Sequence, residues 1–298
     1  MRVCHALSAP LALPPGHPLP AGKTAALRAL LLREGLLQPA DVHEPEDAPW
    51  EDLGLVHEEG WLSRFATGAL TPREQRLLGL TWSPELVRRA RRSVAGTCQA
   101  ARFALEDGLA ANLGGGSHHA FPDRGEGWCA LNDVAVAARV LRRDGRARRA
   151  LVIDLDVHQG NGTAVCLQDD PDAFTFSIHA ESNYPRQKAR SSLDVGLPDG
   201  ASDEAYLEAL ARHLPQAFER GRPEVVFYLA GVDPLRGDRL GRLSLSLEGL
   251  AARERLVLQA ARARGVPLVI TAAGGYGPTP EATAEAHAVV HRVARELG

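Results

Sequence analysis

Leucines and other apolar residues recur at helical spacing in the first part of the chain. Residues 23–34 carry one apolar stripe and are followed by Gly35, a pattern that predicts a helix with a glycine stop. Residues 41–85 alternate short helical stretches with proline breaks. Residues 84–112 predict a long helix, either continuous or divided in two around Gly96.

From about residue 128 onward, helical stretches alternate with short apolar runs. The predicted helices of this part are 130–144, 162–168, 203–220, 247–265 and 280–297, and its predicted strands are 151–153, 173–178, 224–230 and 267–271. One further strand is predicted at residues 1–7. This alternation predicts an α/β fold, a mostly parallel β-sheet with helices on both faces. There is no repeat, low-complexity tract or linker, so we expect residues 1–298 to form a single domain.

The apolar run at residues 151–153 is followed directly by charged residues. This pattern is typical of a buried parallel strand with functional groups at its carboxyl end. Alternate side chains of an extended backbone share a face, so Asp154, Asp156 and His158 would point the same way. With nothing basic among them, the carboxylates would repel each other unless a cation lay between them. Aspartate and histidine are ordinary ligands of zinc and related metals. The alternative is a strand end with one capping aspartate and a surface histidine.

Other polar groups also follow glycine turns or predicted strands. His118 and His119 come directly after a run of three glycines, Asp233 follows the strand at 224–230, and Tyr276 follows the strand at 267–271. Ligands of parallel α/β sheets bind beyond the carboxyl ends of the strands. We therefore expect these groups to contribute to one site formed by several loops.

Composition narrows the class of function. The chain is 45% hydrophobic and 24% charged, has a formal net charge of −3 and contains no apolar run that could span a membrane. This balance argues against nucleic acid as a partner. The four cysteines form no CxxC pair, and the N-terminus lacks a clean signal-peptide core, so we expect a cytoplasmic protein.

Taken together, the motifs resemble the zinc-dependent histone deacetylase family, and the resemblance runs from His17 over nearly the whole chain. Its elements lie, in the family's order, at residues 115–120, 127–129, 153–158, 230–233 and 274–276. Residues 17–23, 123–127, 157–162 and 235–241 look most like the class IV branch. We expect a prokaryotic class IV-like homologue with the arginase/deacetylase-like fold.

The resemblance implies two metal sites. One zinc ion per chain would be held by Asp156, His158 and Asp233, whereas Asp154 would orient His118. A structural potassium ion would be held by the side chains of Asp154 and Ser177 and by the main-chain oxygens of Asp156, His158 and Ile178.

It also implies the chemistry, in which zinc-bound water attacks the amide of an acylated lysine. His119 would serve as general base and acid, His118 as a charged or orienting neighbour, and Tyr276 as the oxyanion donor. Asn161 stands where class I enzymes have an aspartate, and it would orient His119 without adding negative charge.

The family's substrate-binding positions fall on Gly127, Trp128, Tyr184, Leu240 and Gly274. The aromatic pair would form walls that suit the methylene stem of lysine, although both rings could instead be ordinary core aromatics. The expected substrate is an acyl-lysine of a protein, carrying an acetyl group or, as in the class IV branch, a long fatty acyl group. The oligomeric state is open.

Three other functions remain as alternatives. The same chemistry could act on an acetylpolyamine or another small acylated amine, and an acidic rim including Asp123, Glu126 and Glu181 would favour that substrate. A two-manganese ureohydrolase shares the broad architecture but needs further Asp and His ligands. The chain could also be a catalytically inactive binding protein, although every expected ligand is present.

Overall fold

The computed structural model describes residues 1–6, 13 and 16–298, and within them the eight strands form one parallel sheet. The strands are β1 Val3–Cys4, β2 Val42–His43, β3 Leu109–Asn112, β4 Ala150–Asp154, β5 Ala173–Ala180, β6 Leu193–Leu197, β7 Val225–Leu229 and β8 Leu268–Thr271. Their order across the sheet is β2-β1-β3-β8-β7-β4-β5-β6, and every neighbouring pair is parallel. The predicted parallel α/β fold is confirmed.

Helices cover both faces of this sheet. They are α1 Lys23–Arg33, α2 Trp50–Leu53, α3 Glu59–Thr67, α4 Pro72–Leu78, α5 Pro84–Asp107, α6 Asp133–Arg143, α7 Asn161–Leu167, α8 Asp203–Gly221, α9 Leu247–Ala263 and α10 Pro280–Leu297, with a 3-10 turn at Pro39–Asp41. α1, α8, α9 and α10 pack on one face, and α2 to α7 pack on the other. Neighbouring residues of a central strand enter opposite cores: Tyr228 packs on the first face and Phe227 on the second. The central strands are therefore apolar throughout rather than alternating.

The prediction for residues 84–112 was wrong at its C-terminal end, whereas the continuous helix is one of its two options. α5 is one continuous helix that ends at Asp107, and residues 109–112 are strand β3 rather than its last turn. Gly96 does not break the helix. Its role is close packing, because a Cβ atom there would lie 2.9 Å from Nδ2 of Asn112 on β3.

Three strands of the sheet lie before residue 128, where only the strand at residues 1–7 was predicted. β2 and β6, at the two edges, were not predicted, because they are short or half-exposed and have no continuous apolar run. The first predicted strand is shorter than residues 1–7 and consists of Val3–Cys4, while Leu7 lies outside the described residues. Among the described residues, no helix combines the length and apolar character needed to cross a membrane.

The strand order explains why the predicted polar groups converge. β3, β8, β7 and β4 are consecutive at the centre of the sheet, so their carboxyl ends lie side by side. The loops that follow them carry, respectively, the His118-His119 pair, Tyr276, Asp233, and Asp156 with His158.

Candidate active site

Asp156, His158 and Asp233 form a compact group of potential metal ligands, and it is the one such group found among the described residues. One ligand atom from each lies within 4.8 Å of the others, and all three residues are buried. Nδ1 of His158 lies 2.9 Å from Oδ1 of Asp156 and 3.2 Å from Oδ2 of Asp233. Asp154 is not part of this group, and its Oδ2 lies 2.8 Å from Nδ1 of His118.

The chemistry of this group fits a divalent cation. Burial, together with the charge of Asp156, raises the pKa of Asp233 to about 7, and the buried Oδ2 of Asp233 makes no well-aligned hydrogen bond, although it lies 3.2 Å from Nδ1 of His158. Burial lowers the pKa of His158, but its contacts with the two carboxylates raise it to about 10. A cation would relieve the repulsion between the carboxylates and coordinate Oδ2 of Asp233. Two carboxylate oxygens and one imidazole nitrogen form a set of ligands that zinc accepts.

Gly274 provides the space for such an ion. A Cβ atom at this position would lie 2.1 Å from Oδ2 of Asp233 and 2.4 Å from Oδ2 of Asp156. Its backbone N–H also donates to Oδ2 of Asp156 at 2.7 Å. The predicted substrate-binding glycine therefore borders the ligand group directly.

His118 and His119 are buried side by side, with ring centroids 4.1 Å apart, but they have different partners. Nδ1 of His118 contacts Oδ2 of Asp154 at 2.8 Å, and Nδ1 of His119 contacts Oδ1 of Asn161 at 2.7 Å. Burial lowers the pKa of His118, but the charges of Asp154 and Asp156 raise it to about 9. Burial and the neighbouring rings of His118 and His158 hold the pKa of His119 well below its usual value.

The loop that carries both histidines is anchored by Asp133, the first residue of α6. Its carboxylate accepts from the backbone N–H of Gly116 at 3.0 Å and of Ser117 at 2.7 Å, and Thr97 donates to it at 2.5 Å. Sequence reasoning missed this residue. Its only signal was a carboxylate at the start of an apolar helix, which is also the pattern of an ordinary helix N-terminus.

The loop that carries Tyr276 is held from two sides. Nζ of Lys23 donates to the carbonyl oxygen of Ala273 at 2.7 Å, and the backbone N–H of Tyr276 donates to Oδ2 of Asp238 at 2.7 Å. Burial lowers the pKa of Lys23 to about 8, opposed by the charges of Asp233 and other carboxylates. Burial and the carboxylates of the ligand group raise the pKa of Tyr276 well above its usual value, so its hydroxyl keeps its proton.

Aromatic rings stand around the ligand group. Trp128 and Tyr276 meet edge to face with centroids 5.6 Å apart, and Tyr184 stands perpendicular to His119 at 4.9 Å. Tyr184 is 41% exposed, which argues against an ordinary core role for it. The carbonyl oxygen of Leu240 accepts from Nδ2 of Asn183, next to Tyr184.

A cavity of about 150 Å³ adjoins the histidine pair. It is lined by site residues that include His119, Gly127, Trp128, Gly274 and Tyr276, and also by Lys23, Leu86 and Arg89. Gly127 has φ 55°, and a Cβ atom there would lie 2.8 Å from Cδ2 of His119, so only glycine fits between the histidine and the tryptophan.

The predicted potassium ligands lie together on neighbouring strands, where Asp154 of β4 pairs with Ser177 of β5 and Ile178 follows. The Ser177 hydroxyl lies 2.9 Å from Nδ1 of His179. Potassium binding stays a prediction.

The fold and the site define a class, namely parallel α/β proteins with a three-ligand metal group beyond the carboxyl ends of the strands. Within that class, the chain belongs to the histone deacetylase domain family, whose model matches residues 17–293.

Individual proteins are also similar to this chain. An uncharacterized protein of Picosynechococcus is 47% identical over 287 residues, which are 96% of this chain and 95% of that protein. Histone deacetylase 2 of Arabidopsis thaliana is 35% identical over 269 residues, 87% of this chain and 70% of that protein. The crystal structure of a histone deacetylase homologue from Aquifex aeolicus matches the fold with a TM-score of 0.82 at 24% identity, covering 99% of this chain and 84% of that one. The chain is thus a member of a family of deacetylases.

Proposed function

We propose that the protein is a zinc-dependent deacylase that hydrolyses the amide of an acylated lysine. The observation that carries the proposal is the ligand group of Asp156, His158 and Asp233. It lies beside the histidine pair, and Gly274 leaves space next to it. A second ligand group, which a two-manganese ureohydrolase would need, is not found among the described residues.

Asp156, His158 and Asp233 would hold the zinc ion, one per chain. Bound there, zinc would supply Lewis acidity that polarises the amide carbonyl and makes a water molecule more acidic. His119 takes the proton from this water and returns it to the leaving amine. Its Nδ1 is engaged by the Asn161 carbonyl, which leaves Nε2 for the proton transfer.

The other polar groups stabilise charge. Tyr276 donates a hydrogen bond from its hydroxyl to the oxygen that becomes negative as the amide is attacked. His118, paired with Asp154, supplies a positive neighbour rather than a second base.

The surroundings suit the side chain of an acylated lysine. Trp128 and Tyr184 provide apolar walls for the methylene stem, and Leu240, Gly127 and Gly274 complete the substrate-binding set. The cavity of about 150 Å³ beside the histidine pair would receive the acyl group, with acetyl as the first candidate and a long fatty acyl group as the second.

Acetylpolyamine hydrolysis stays the alternative, and of its three acidic rim residues Glu181 is exposed, whereas the other two are already paired. Of the acidic residues that would attract a polyamine, Glu126 has a side chain that is only 12% exposed and already contacts Arg124, Tyr184 and Asn161. Asp123 is also paired with Arg124.

We further propose one catalytic domain over residues 1–298, a class IV-like prokaryotic origin, a structural potassium ion and a cytoplasmic location.

The experiment is a release assay on one lysine peptide carrying acetyl, octanoyl or myristoyl, with acetylated polyamines in parallel. Each reaction is run with and without a chelator and after zinc is added back. We expect chelator-sensitive, zinc-restored release, fastest for acetyl-lysine. Faster release from acetylpolyamine would move the function to small-molecule metabolism. If no substrate is turned over in a zinc-dependent way, the proposal fails and an inactive binding protein is the better description.

A further inference from the structure

Glu126 connects the wall of the candidate site to its general base. One carboxylate oxygen, Oε1, accepts from the hydroxyl of Tyr184 at 2.6 Å and from Nδ2 of Asn161 at 3.2 Å. The other, Oε2, accepts from Nε of Arg124 at 3.1 Å. The backbone of Glu126 exchanges two hydrogen bonds of 2.9 Å with Cys129. The carboxylate is thus held in place by its backbone and by three donors.

This contact determines the orientation of the Asn161 amide. A carboxylate oxygen has no proton to donate, so the group that Asn161 turns toward Glu126 must be its NH₂. The amide carbonyl is then turned toward His119, whose Nδ1 lies 2.7 Å from it. Because the carbonyl only accepts, Nδ1 of His119 must carry the proton, and the lone pair of the neutral ring is on Nε2.

The opposite amide orientation would give the opposite result. With its NH₂ turned toward His119, Asn161 would donate to Nδ1 and move the ring proton to Nε2. The proposed base would then have no lone pair on the nitrogen that takes the proton from water. The side chain of Asn161 is isosteric in both orientations, so a contact outside the pair has to select one of them.

Glu126 also holds Tyr184, one of the two aromatic residues predicted to line the lysine stem. Tyr184 is 41% exposed, and its ring stands at 89° to that of His119. Burial and the hydrogen bond to Glu126 raise the pKa of Tyr184, so the hydroxyl stays a donor. Without this bond, a half-exposed ring on a loop would be free to turn away from His119.

We propose that Glu126 is a positioning residue that sets the tautomer of His119 through Asn161 and fixes Tyr184 beside it. The inference rests on the proposed function only in naming His119 as the base, because the tautomer itself can be measured in a protein that does no catalysis.

The first test measures that tautomer. Nitrogen-15 NMR of the histidine rings, in the metal-free and the zinc-loaded protein, distinguishes an Nδ1–H ring from an Nε2–H ring. We expect Nδ1–H at His119 in the unsubstituted protein and a mixture, or Nε2–H, in Glu126→Ala. The same tautomer in both proteins would overturn the inference. This outcome is separate from failure of the proposed function, which would appear as an absence of acyl release with the tautomer effect intact.

The second test uses a double-mutant cycle. Asn161→Asp replaces the amide with a group whose two oxygens both accept, so the orientation no longer has to be selected. Glu126→Ala should lower kcat about tenfold or more when Asn161 is present, as part of the hundredfold or larger contribution of a general base. In the Asn161→Asp background it should not lower kcat, because it then removes a second carboxylate that repels the first. An equal loss in both backgrounds would mean that Glu126 does not act through the Asn161 amide, which would overturn the inference.

Two further variants separate the two contacts of Glu126 and control for folding. Tyr184→Phe removes only the hydrogen bond from Tyr184 to Glu126, and it should raise KM with a smaller effect on kcat. Glu74→Ala is the matched control, because Glu74 also pairs with an arginine, and its side chain is 13% exposed, close to the 12% of Glu126. It lies outside the site, so it should lower stability without changing the tautomer of His119. A changed tautomer in Glu74→Ala would show that the effect in Glu126→Ala is not specific.

Discussion

Arg253 and Glu254 are consecutive residues of α9 whose side chains form an ion pair that is almost completely buried, with Nη2 of Arg253 2.6 Å from Oε1 of Glu254. The same guanidinium donates to the carbonyl oxygen of Leu155 at 3.0 Å and of Gly231 at 2.8 Å. Tyr228 donates to the other oxygen of Glu254. Leu155 precedes Asp156, and Gly231 lies two residues before Asp233, so the pair ties together the two chain segments that carry the carboxylate ligands.

Replacing Arg253 by methionine should therefore lower the free energy of unfolding by about 3–5 kcal/mol, because Glu254 is left as an unpaired buried charge. It should also weaken zinc binding, since the backbone beside both ligands loses its donor. Urea unfolding measures the first effect, and titration with zinc measures the second. The double variant Arg253→Met/Glu254→Leu removes both charges and should recover part of the stability without recovering zinc affinity. Recovery of both would mean that the pair has no specific role at the ligand group.

Gly274→Ala should strongly weaken zinc binding. The added Cβ atom would overlap the Asp156 and Asp233 carboxylates, so the loop or the ligands must move. We expect zinc affinity to fall about 100-fold or more, the upper end of the effect of disturbing the surroundings of metal ligands. Gly54→Ala is the matched control, because an added Cβ there makes only ordinary contacts of 3.5 Å and 3.6 Å. Equal zinc affinities for the two variants would contradict the placement of the ion beside Gly274.

Some parts of this site could be predicted from the sequence because they follow local rules. The apolar run before Asp154 and the glycines before His118 indicated strand ends and turns, and the order of the motifs indicated which side chains meet. Residues 109–112, Leu-Ala-Ala-Asn, suit a helix, yet they form β3 because the sheet offers them two neighbouring strands.

The supporting contacts could not be predicted in this way. Arg253 reaches Leu155 across 98 residues of chain, and Glu126 reaches Tyr184 across 58. Neither contact could be predicted from a sequence spacing, a periodicity or a motif. Whether a charged residue on a helix is solvated or buried is decided by packing against the sheet, which only the folded chain reveals.

Zinc should stabilise the protein through three ligands and not through Asp154. A ligand that binds only the folded state adds about 2.7 kcal/mol when its concentration is 100 times the dissociation constant, which raises Tm by roughly 5 °C in a chain of this size. Asp156→Asn and Asp233→Asn should lose this rise. Asp154→Asn is the matched control, a buried carboxylate outside the ligand group, and it should keep most of the rise. Thermal unfolding of the metal-free protein, with and without zinc, measures all four proteins. A loss in Asp154→Asn as large as in the ligand variants would contradict the assignment.

His57 should make stability depend on pH independently of the metal. Its ring is buried in a neutral form, with Nδ1 donating to the carbonyl oxygen of Phe121 and Nε2 accepting from the backbone N–H of Asn132, each at 3.0 Å. Burial lowers its pKa to about 4, opposed by backbone hydrogen bonds. The unfolded chain, with a histidine pKa near 6.5, binds the proton more readily than the folded protein. The contribution of His57 is therefore complete above about pH 6.5 and is lost as the pH falls toward 4, by at most about 1.4 kcal/mol per pH unit.

Other buried histidines, including His5 and His291, titrate in the same window, so the test compares two proteins. Urea unfolding of the unsubstituted protein and of His57→Gln is measured between pH 7.5 and 5. This range begins above the pKa of about 6.5 in the unfolded chain and runs toward the pKa of about 4 in the folded protein. His57→Gln should be less stable at the upper end, because glutamine does not bridge Phe121 and Asn132 in the same way. The difference should shrink as the pH falls, since only the unsubstituted protein loses the contribution of this ring. A difference that stays constant across the range would show that His57 does not gain its proton on unfolding.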